Sequence, residues 1–221
     1  SGKTLAFGLS MITRLADGTR PQSKRPRSLI LAPTRELAMQ VSDALEPFVH
    51  VTGITHRLVA GGLSYEPQIK SLQRGVHLLV ATPGRLVDLM DRGAVDLGGV
   101  EITILDEADH MADLGFLPAV RRLLDATPRG GQRMLFSATL DAAVDVLVKA
   151  YLHKPVTHQA DSATSPISTM SHHVLHVSQE AHLPVLVDLA AAPGRTVIFT
   201  RTKHRAKRLA KQLNASGVPA V

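Results

Sequence analysis

The sequence predicts an α/β fold on three observations. Short apolar runs rich in β-branched residues recur along the chain, longer stretches between them carry apolar residues at helical spacing, and the two kinds alternate. The runs are 28–32, 56–60, 76–81, 100–105 and 133–137, and they read as buried parallel strands.

Taken in order, the chain opens Ser1-Gly2-Lys3-Thr4 and then runs into Leu5, Ala6, Phe7 and Leu9, the start of a helix. After the run at 28–32, Leu37, Val41, Ala44, Leu45 and Phe48 fall on one helical face. The runs at 56–60, 76–81 and 100–105 follow, and Phe116, Val120, Leu123 and Leu124 repeat the helical spacing before the run at 133–137. Past Tyr151 the pattern loosens through His153, Pro155, Ser162, Ser165 and Pro166, a polar stretch with two prolines that suits neither element. A domain boundary is expected there. Beyond it, 173–177 and 196–200 read as strands, and 183–191 and 203–213 as the helices that follow each. The expected organisation is a first domain over 1–155, a linker over 156–170 and the beginning of a second α/β domain over 171–221. At 221 residues, with Ser1 at one end and Val221 after Gly217 and Pro219 at the other, the chain is expected to lack the front of the first domain and most of the second.

Composition narrows the function classes. There is no cysteine, which excludes disulfides, thiolate zinc sites and cysteine nucleophiles from these residues and fits a reducing cytoplasm. No apolar run approaches the ~18 residues of a membrane span, so a soluble protein without membrane contact is expected. Lys and Arg number 25 against 19 Asp and Glu, a net charge of +6 that favours a polyanionic partner. Protein partners leave no mark in the sequence. His172, His173 and His176 look like a metal cluster. Neighbouring residues of a strand point to opposite faces, however, and no acid or cysteine lies close by, so no metal is expected there.

Three short segments carry chemistry. Ser1-Gly2-Lys3-Thr4 matches the close of a phosphate-binding loop entering its helix: Gly2 lets the backbone approach phosphate, Lys3 neutralises β and γ oxygens, and the Thr4 hydroxyl is a Mg²⁺ ligand. A plain helix N-terminus with an incidental lysine is the competing reading. Asp106-Glu107-Ala108-Asp109 follows the run at 100–105, which puts two adjacent acids at the carboxyl end of a buried strand, the ligand-binding edge of an open α/β sheet. Two acids buried side by side need a cation or strong donors, so Asp106 is assigned to Mg²⁺ through its water shell. Glu107 is assigned to orienting and deprotonating an attacking water. The competing reading is an acidic helix N-terminus held by its dipole. Ser137-Ala138-Thr139 stands on the same edge after the last run. Its hydroxyls are expected to meet Asp109 and link nucleotide state to domain movement, against the simpler role of capping a helix that begins near Asp141. No Gly-x-Ser-x-Gly elbow occurs, so a serine hydrolase is disfavoured.

The order of the motifs carries more than any one of them. Ser1-Gly2-Lys3-Thr4, Pro33-Thr34-Arg35-Glu36-Leu37-Ala38, Gly61-Gly62, Thr82-Pro83-Gly84-Arg85, Asp106 to Asp109 and Ser137 to Thr139 resemble, in sequence and spacing, the successive motifs of the DEAD-box RNA helicases. Val197-Ile198-Phe199-Thr200-Arg201-Thr202-Lys203 resembles that family's next motif, and Ala112-Asp113-Leu114-Gly115-Phe116 also looks like the family, in a bacterial form.

The resemblance implies two RecA-like domains with ATP and Mg²⁺ bound between them, closure onto single-stranded RNA and local strand separation. It implies a nucleotide site of Ser1, Gly2, Lys3, Thr4, Asp106 and Glu107, and an RNA path lined by Pro33, Thr34, Arg35, Gly61, Gly62, Thr82, Pro83, Gly84 and Arg85. Thr34 and Thr82 precede predicted helices, so free amides and two arginines are expected to face a sugar-phosphate backbone. The segment alone, without the adenine-recognising and arginine-bearing motifs, is expected to turn over little ATP. Two other readings stand beside this one: a DNA-acting helicase of the same superfamily, and an ATP-gated RNA clamp or scaffold. The helix over 203–213 turns Arg205, Lys207, Arg208 and Lys211 outward, as a solvated face or as a direct RNA contact, and its role is left open.

Overall fold

A computed structural model describes residues 2–159 and 171–221. The chain divides into two compact units, Ser1–Ala163 and Thr164–Val221. Of the expected linker 156–170, residues 160–170 lie outside the described ones, as does Ser1.

The first unit is a five-stranded, wholly parallel sheet with helices on both faces. Its elements run α1 (Gly2–Leu15), β1 (Ser28–Leu31), α2 (Arg35–Thr52), β2 (His56–Val59), α3 (Tyr65–Gln73), β3 (Leu78–Ala81) and α4 (Pro83–Asp91). They continue with β4 (Ile102–Leu105), α5 (Ala108–Asp113), α6 (Leu117–Asp125), β5 (Gln132–Leu135) and α7 (Ala142–Tyr151). The strand order is β2-β3-β1-β4-β5, with Leu29 opposite Leu79 and Thr103, and Ile104 opposite Met134.

Alternation along the pleat explains why both faces are covered. Leu29, Leu31, Leu79, Ala81 and Leu105 point to one side, against Leu72, Leu86, Leu89, Met111, Leu123 and Leu147 of the helices from α3 to α7. Ile30, Leu78, Val80, Ile102 and Ile104 point to the other, against Phe7, Met11 and Leu15 of α1 and Val41 and Leu45 of α2. Each Leu, Ile, Val, Phe or Met among them, fully removed from water, contributes about 1.5–3 kcal/mol before chain entropy is counted. The two outer strands β2 and β5 are only partly buried, whereas β1, β3 and β4 are buried at every position.

The amino-terminal rim of the sheet is tied by Arg27, whose side chain is 7% exposed. Its Nε donates to Glu101 at 2.6 Å and its two terminal nitrogens to Asp17 at 2.8 Å, with further bonds to the Leu15 and Thr19 carbonyls. The guanidinium therefore joins the end of α1 to the starts of β1 and β4, and it holds the Asp17 carboxyl far below the usual carboxylate range.

The second unit holds α8 (His182–Ala191) and α9 (Lys203–Ala215). The strands expected at 173–177 and 196–200 are not formed: neither segment carries ladder hydrogen bonds, and Val174, Val197 and Phe199 are exposed. An apolar run becomes a strand only when a neighbour supplies the other half of its hydrogen bonds, and the described residues of this unit supply none.

Candidate functional site

Because all five strands are parallel, the segments that leave them gather at one rim. β1 leads into Ala32, Pro33 and Thr34; β2 into Ala60, Gly61 and Gly62; β3 into Thr82 and Pro83; β4 into Asp106 and Glu107; β5 into Phe136, Ser137 and Thr139. Residues more than 100 positions apart in sequence thus face the same solvent.

At one part of this rim stand the two acids and the start of α1. Asp106 is 8% exposed, and its backbone N–H donates to the Leu31 carbonyl at 2.9 Å. Burial pushes its carboxyl up, the charge of Glu107 adds to the effect, and the ammonium of Lys3 pulls it back only in part. Lys3 therefore lies within electrostatic reach of Asp106, while the rim keeps an acidic pair incompletely compensated. Glu107 sits in the left-handed region, φ 56° and ψ 54°, at the N-cap of α5, a conformation that disfavours a side-chained residue. The strain follows from the chain turning straight from β4 into α5, fixed by hydrogen bonds from Asp106 N–H to Leu31 and from Ala108 N–H to Phe136. Thr4, in the first turn of α1, is buried. A hydroxyl, a carboxylate pair short of positive charge and a lysine are a donor set suited to a hard divalent cation with phosphate oxygens. The observation that the fit rests on is the burial of Asp106 next to Glu107, two adjacent acids at the end of β4.

Beside the acids, Asp109 is held by the loop after β5. Its Oδ2 accepts from the Thr139 backbone N–H at 3.0 Å and the Thr139 hydroxyl at 3.1 Å, and its own N–H donates to Ser137 Oγ at 3.2 Å. Burial acts to raise the Asp109 carboxyl, but hydrogen bonds from the His110 N–H, the Ser137 hydroxyl and Thr139 outweigh it and leave it below the ordinary value. The cap of α7 is a different residue: Asp141 accepts from the Val144 N–H at 2.9 Å.

Further along the rim, two arginines converge on the glycine loop. Thr34 caps α2 through its hydroxyl, which accepts from the Leu37 N–H at 3.2 Å. In the next position, Arg35 lays its guanidinium over Gly62; a Cβ added there would lie 3.2 Å from Arg35 Nη1, and the φ of +77° already favours glycine. Arg85, from the first turn of α4, donates to the Leu63 carbonyl at 2.8 Å. Pro83 occupies the first helical turn of α4 after Thr82, and an added Cβ at Gly61 or Gly84 would meet nothing within 4 Å.

The sequence reading missed two side chains that hold this patch. Tyr65 is stacked between two guanidiniums, Arg85 at 4.0 Å and Arg92 at 4.3 Å from its ring centroid, and its hydroxyl donates to Asp88. Gln68 donates to the Ser64 carbonyl at 2.9 Å, closing the glycine loop onto α3. The only sequence signal for Gln68 was its position four residues after Ser64, and Tyr65 had none.

A model of the DEAD/DEAH box helicase family matches residues 1–147. The chain belongs to that family. Among the relatives of this DEAD-box chain, the ATP-dependent RNA helicase RhlB of Pseudomonas aeruginosa is 36% identical, with 100% of the chain covered and 57% of the relative. The chloroplastic DEAD-box ATP-dependent RNA helicase 3B of Zea mays is 40% identical over 98% of the chain and 30% of its own length. The crystal structure of a DEAD box protein from Methanococcus jannaschii is 30% identical with a TM-score of 0.66, covering 100% of this chain and 59% of that one. The DEAD-box chain thus spans about half the length of the RhlB relatives it matches.

Proposed function

We propose that the chain is the ATP-binding and RNA-gripping portion of an ATP-dependent RNA helicase. The observation that carries the reading is the convergence on one rim of Lys3, acting on Asp106 beside Glu107, and of two arginines on the glycine loop.

In this reading Gly2, Lys3 and the amino end of α1 receive the β and γ phosphates, with the lysine and the helix amides meeting their charge. Ser1, the residue before them in the sequence, completes the phosphate-binding motif. Asp106 and Thr4 are the residues that would hold Mg²⁺, which supplies charge neutralisation on the transferring phosphoryl group. Glu107 orients a water in line with the γ phosphorus and accepts its proton; the water oxygen bonds to phosphorus as the bond to the β-phosphate oxygen breaks, leaving ADP and phosphate. Asp109, bridged to Ser137 and Thr139, ties α5 to the loop after β5, so a shift at the acids reaches that loop and couples the nucleotide to domain movement. Pro33, Thr34, Arg35, Gly61, Gly62, Thr82, Pro83, Gly84 and Arg85 hold the RNA sugar-phosphate backbone through helix-start amides and guanidiniums. Bases are not read there. RNA as substrate and the lack of cysteine support a cytoplasmic location.

The test is RNA-stimulated ATP hydrolysis and duplex separation by the intact protein that contains these residues. Glu107→Gln is expected to lower turnover by about 10²-fold or more with ATP binding retained, the scale of general-base catalysis. Hydrolysis without strand separation would make the protein an ATP-gated clamp, and equal stimulation by matched DNA strands would make it a DNA-acting relative.

A further inference from the structure

The excess positive charge of the chain is confined to its end. Residues 189–221 carry seven of the 25 Lys and Arg and none of the 19 Asp and Glu, so residues 1–188 hold 18 basic against 19 acidic side chains. Five of the seven are on α9: Lys203, Arg205, Lys207, Arg208 and Lys211, all exposed, with His204 among them. At ~100° per residue, Lys203, Lys207 and Lys211 form one row and His204 and Arg208 the adjoining row, opposite Leu209 and the buried Leu213.

This arrangement works against the helix that carries it. The first turn contains three basic side chains and no acid, where the helix dipole favours anions and disfavours cations. Lys203, Lys207 and Lys211 are like charges at i,i+4, and His204 and Arg208 are a third such step when the imidazole is charged. Like charges at that spacing oppose each other where Glu-Lys pairs would stabilise. Among the described residues no α9 side chain is in an ion pair, whereas α3 and α7 each carry an i,i+4 acid-base pair. A face that is only solvated would gain from mixed charge. A face kept uniformly basic at a cost to its own helix is one that a polyanion neutralises.

We propose that the exposed face of α9 is a second nucleic-acid-binding surface, which grips the phosphate backbone of a single strand without reading bases. The lysine row advances by about 6 Å per step, a spacing suited to successive phosphates of an extended strand. The helix carries no Phe, Tyr or Trp on which a base could stack, so charge dominates its affinity. The surface requires neither ATP nor the rim of the first unit.

The experiment is fluorescence anisotropy of a labelled oligouridylate with the 221-residue chain, without nucleotide, from 50 to 200 mM salt. Replacing Lys203, Lys207, Arg208 and Lys211 together by Gln should weaken binding by about tenfold or more and flatten the log-log salt slope by about 2–3, at ~0.7 per lost phosphate contact. Replacing Lys203, Lys207 and Lys211 by Arg should leave both unchanged, and circular dichroism should show α9 intact in each variant. Binding by the Gln variant within about twofold of wild type, with an unaltered slope, overturns the proposal. So does equal affinity for a labelled polyglutamate of matched charge, which would make the face a docking site for an acidic protein. A separate Arg35→Gln/Arg85→Gln variant keeps the two surfaces apart: loss only there refutes α9, and loss only on α9 supports it.

Discussion

Thr139 donates both its backbone N–H and its hydroxyl to Oδ2 of Asp109, at 3.0 and 3.1 Å. With the bond from the Asp109 N–H to Ser137, this makes a three-bond bracket between α5 and the loop that leaves β5. The first unit therefore has a side-chain connection from α5 to the loop after β5, in addition to the hydrogen bonds that pair β4 with β5.

Thr139→Ala keeps the backbone bond and removes the hydroxyl one. Since Thr139 is exposed, the loss is expected at the low end for a bond to a charged acceptor, ~0.5–1 kcal/mol by urea unfolding. In the intact protein, strand separation should fall by more than ATP turnover does. A variant in which both fall equally would show that the bracket serves stability alone.

Tyr65→Ala removes the surface on which Arg85 rests. An exposed cation-π contact is worth ~0.5–1 kcal/mol, so RNA affinity should drop by about threefold while the unfolding midpoint moves little. Tyr65→Phe, which keeps the ring and loses the bond to Asp88, should lie closer to wild type. An unchanged affinity for Tyr65→Ala would remove Arg85 from the RNA contact.

Gly8 marks where α1 meets α2. A Cβ there would clash with Leu45 Cδ2, and Leu45 is fully buried. Alanine normally gains about 1 kcal/mol over glycine inside a helix, but overpacking of a filled core costs about 1–3. Gly8→Ala is expected to destabilise by ~1 kcal/mol, with partial recovery when Leu45→Val is added. Stabilisation by the single change would contradict the close packing.

His77 gives the protein a pH dependence. Nδ1 accepts from the Thr55 N–H at 3.1 Å, so the neutral ring carries its proton on Nε2, 3.1 Å from the Thr19 carbonyl. Burial lowers its pKa first of all, the bond to Thr19 opposes this, the Arg27 charge lowers it further and Asp17 raises it. Burial likewise lowers His56. Below about pH 6.5 the unfolded chain takes up protons that the folded chain resists, so stability is full above that pH and declines as pH falls. The urea midpoint should be lower at pH 5.5 than at 7.5, and His77→Gln should reduce the difference. A variant with the full wild-type pH response would clear His77 of this role.

The parallel sheet was legible because its signal is local. β1, β3 and β4 are apolar runs buried at every position, and their edges differ from the expected ones by one or two residues where the ladder ends and caps begin. The failed strands at 173–177 and 196–200 mark the limit of that signal: an apolar run states what can be buried, and pairing depends on residues elsewhere. The same division holds at the rim. Asp106 and Glu107 follow a strand in the sequence, so their edge could be read from it. The stacking of Arg85 on Tyr65 joins side chains 20 positions apart, and the left-handed Glu107 arises from a junction of only two residues. Neither leaves a periodicity to detect.

The central claim is that Lys3, Thr4, Asp106 and Glu107 form one nucleotide site. Titration of a fluorescent ATP analogue against the 221-residue chain, with and without Mg²⁺, tests it most directly. Saturable, Mg²⁺-dependent binding is expected, weakened about tenfold or more by Lys3→Ala and made indifferent to Mg²⁺ by Asp106→Asn. Binding that neither substitution alters would contradict the account.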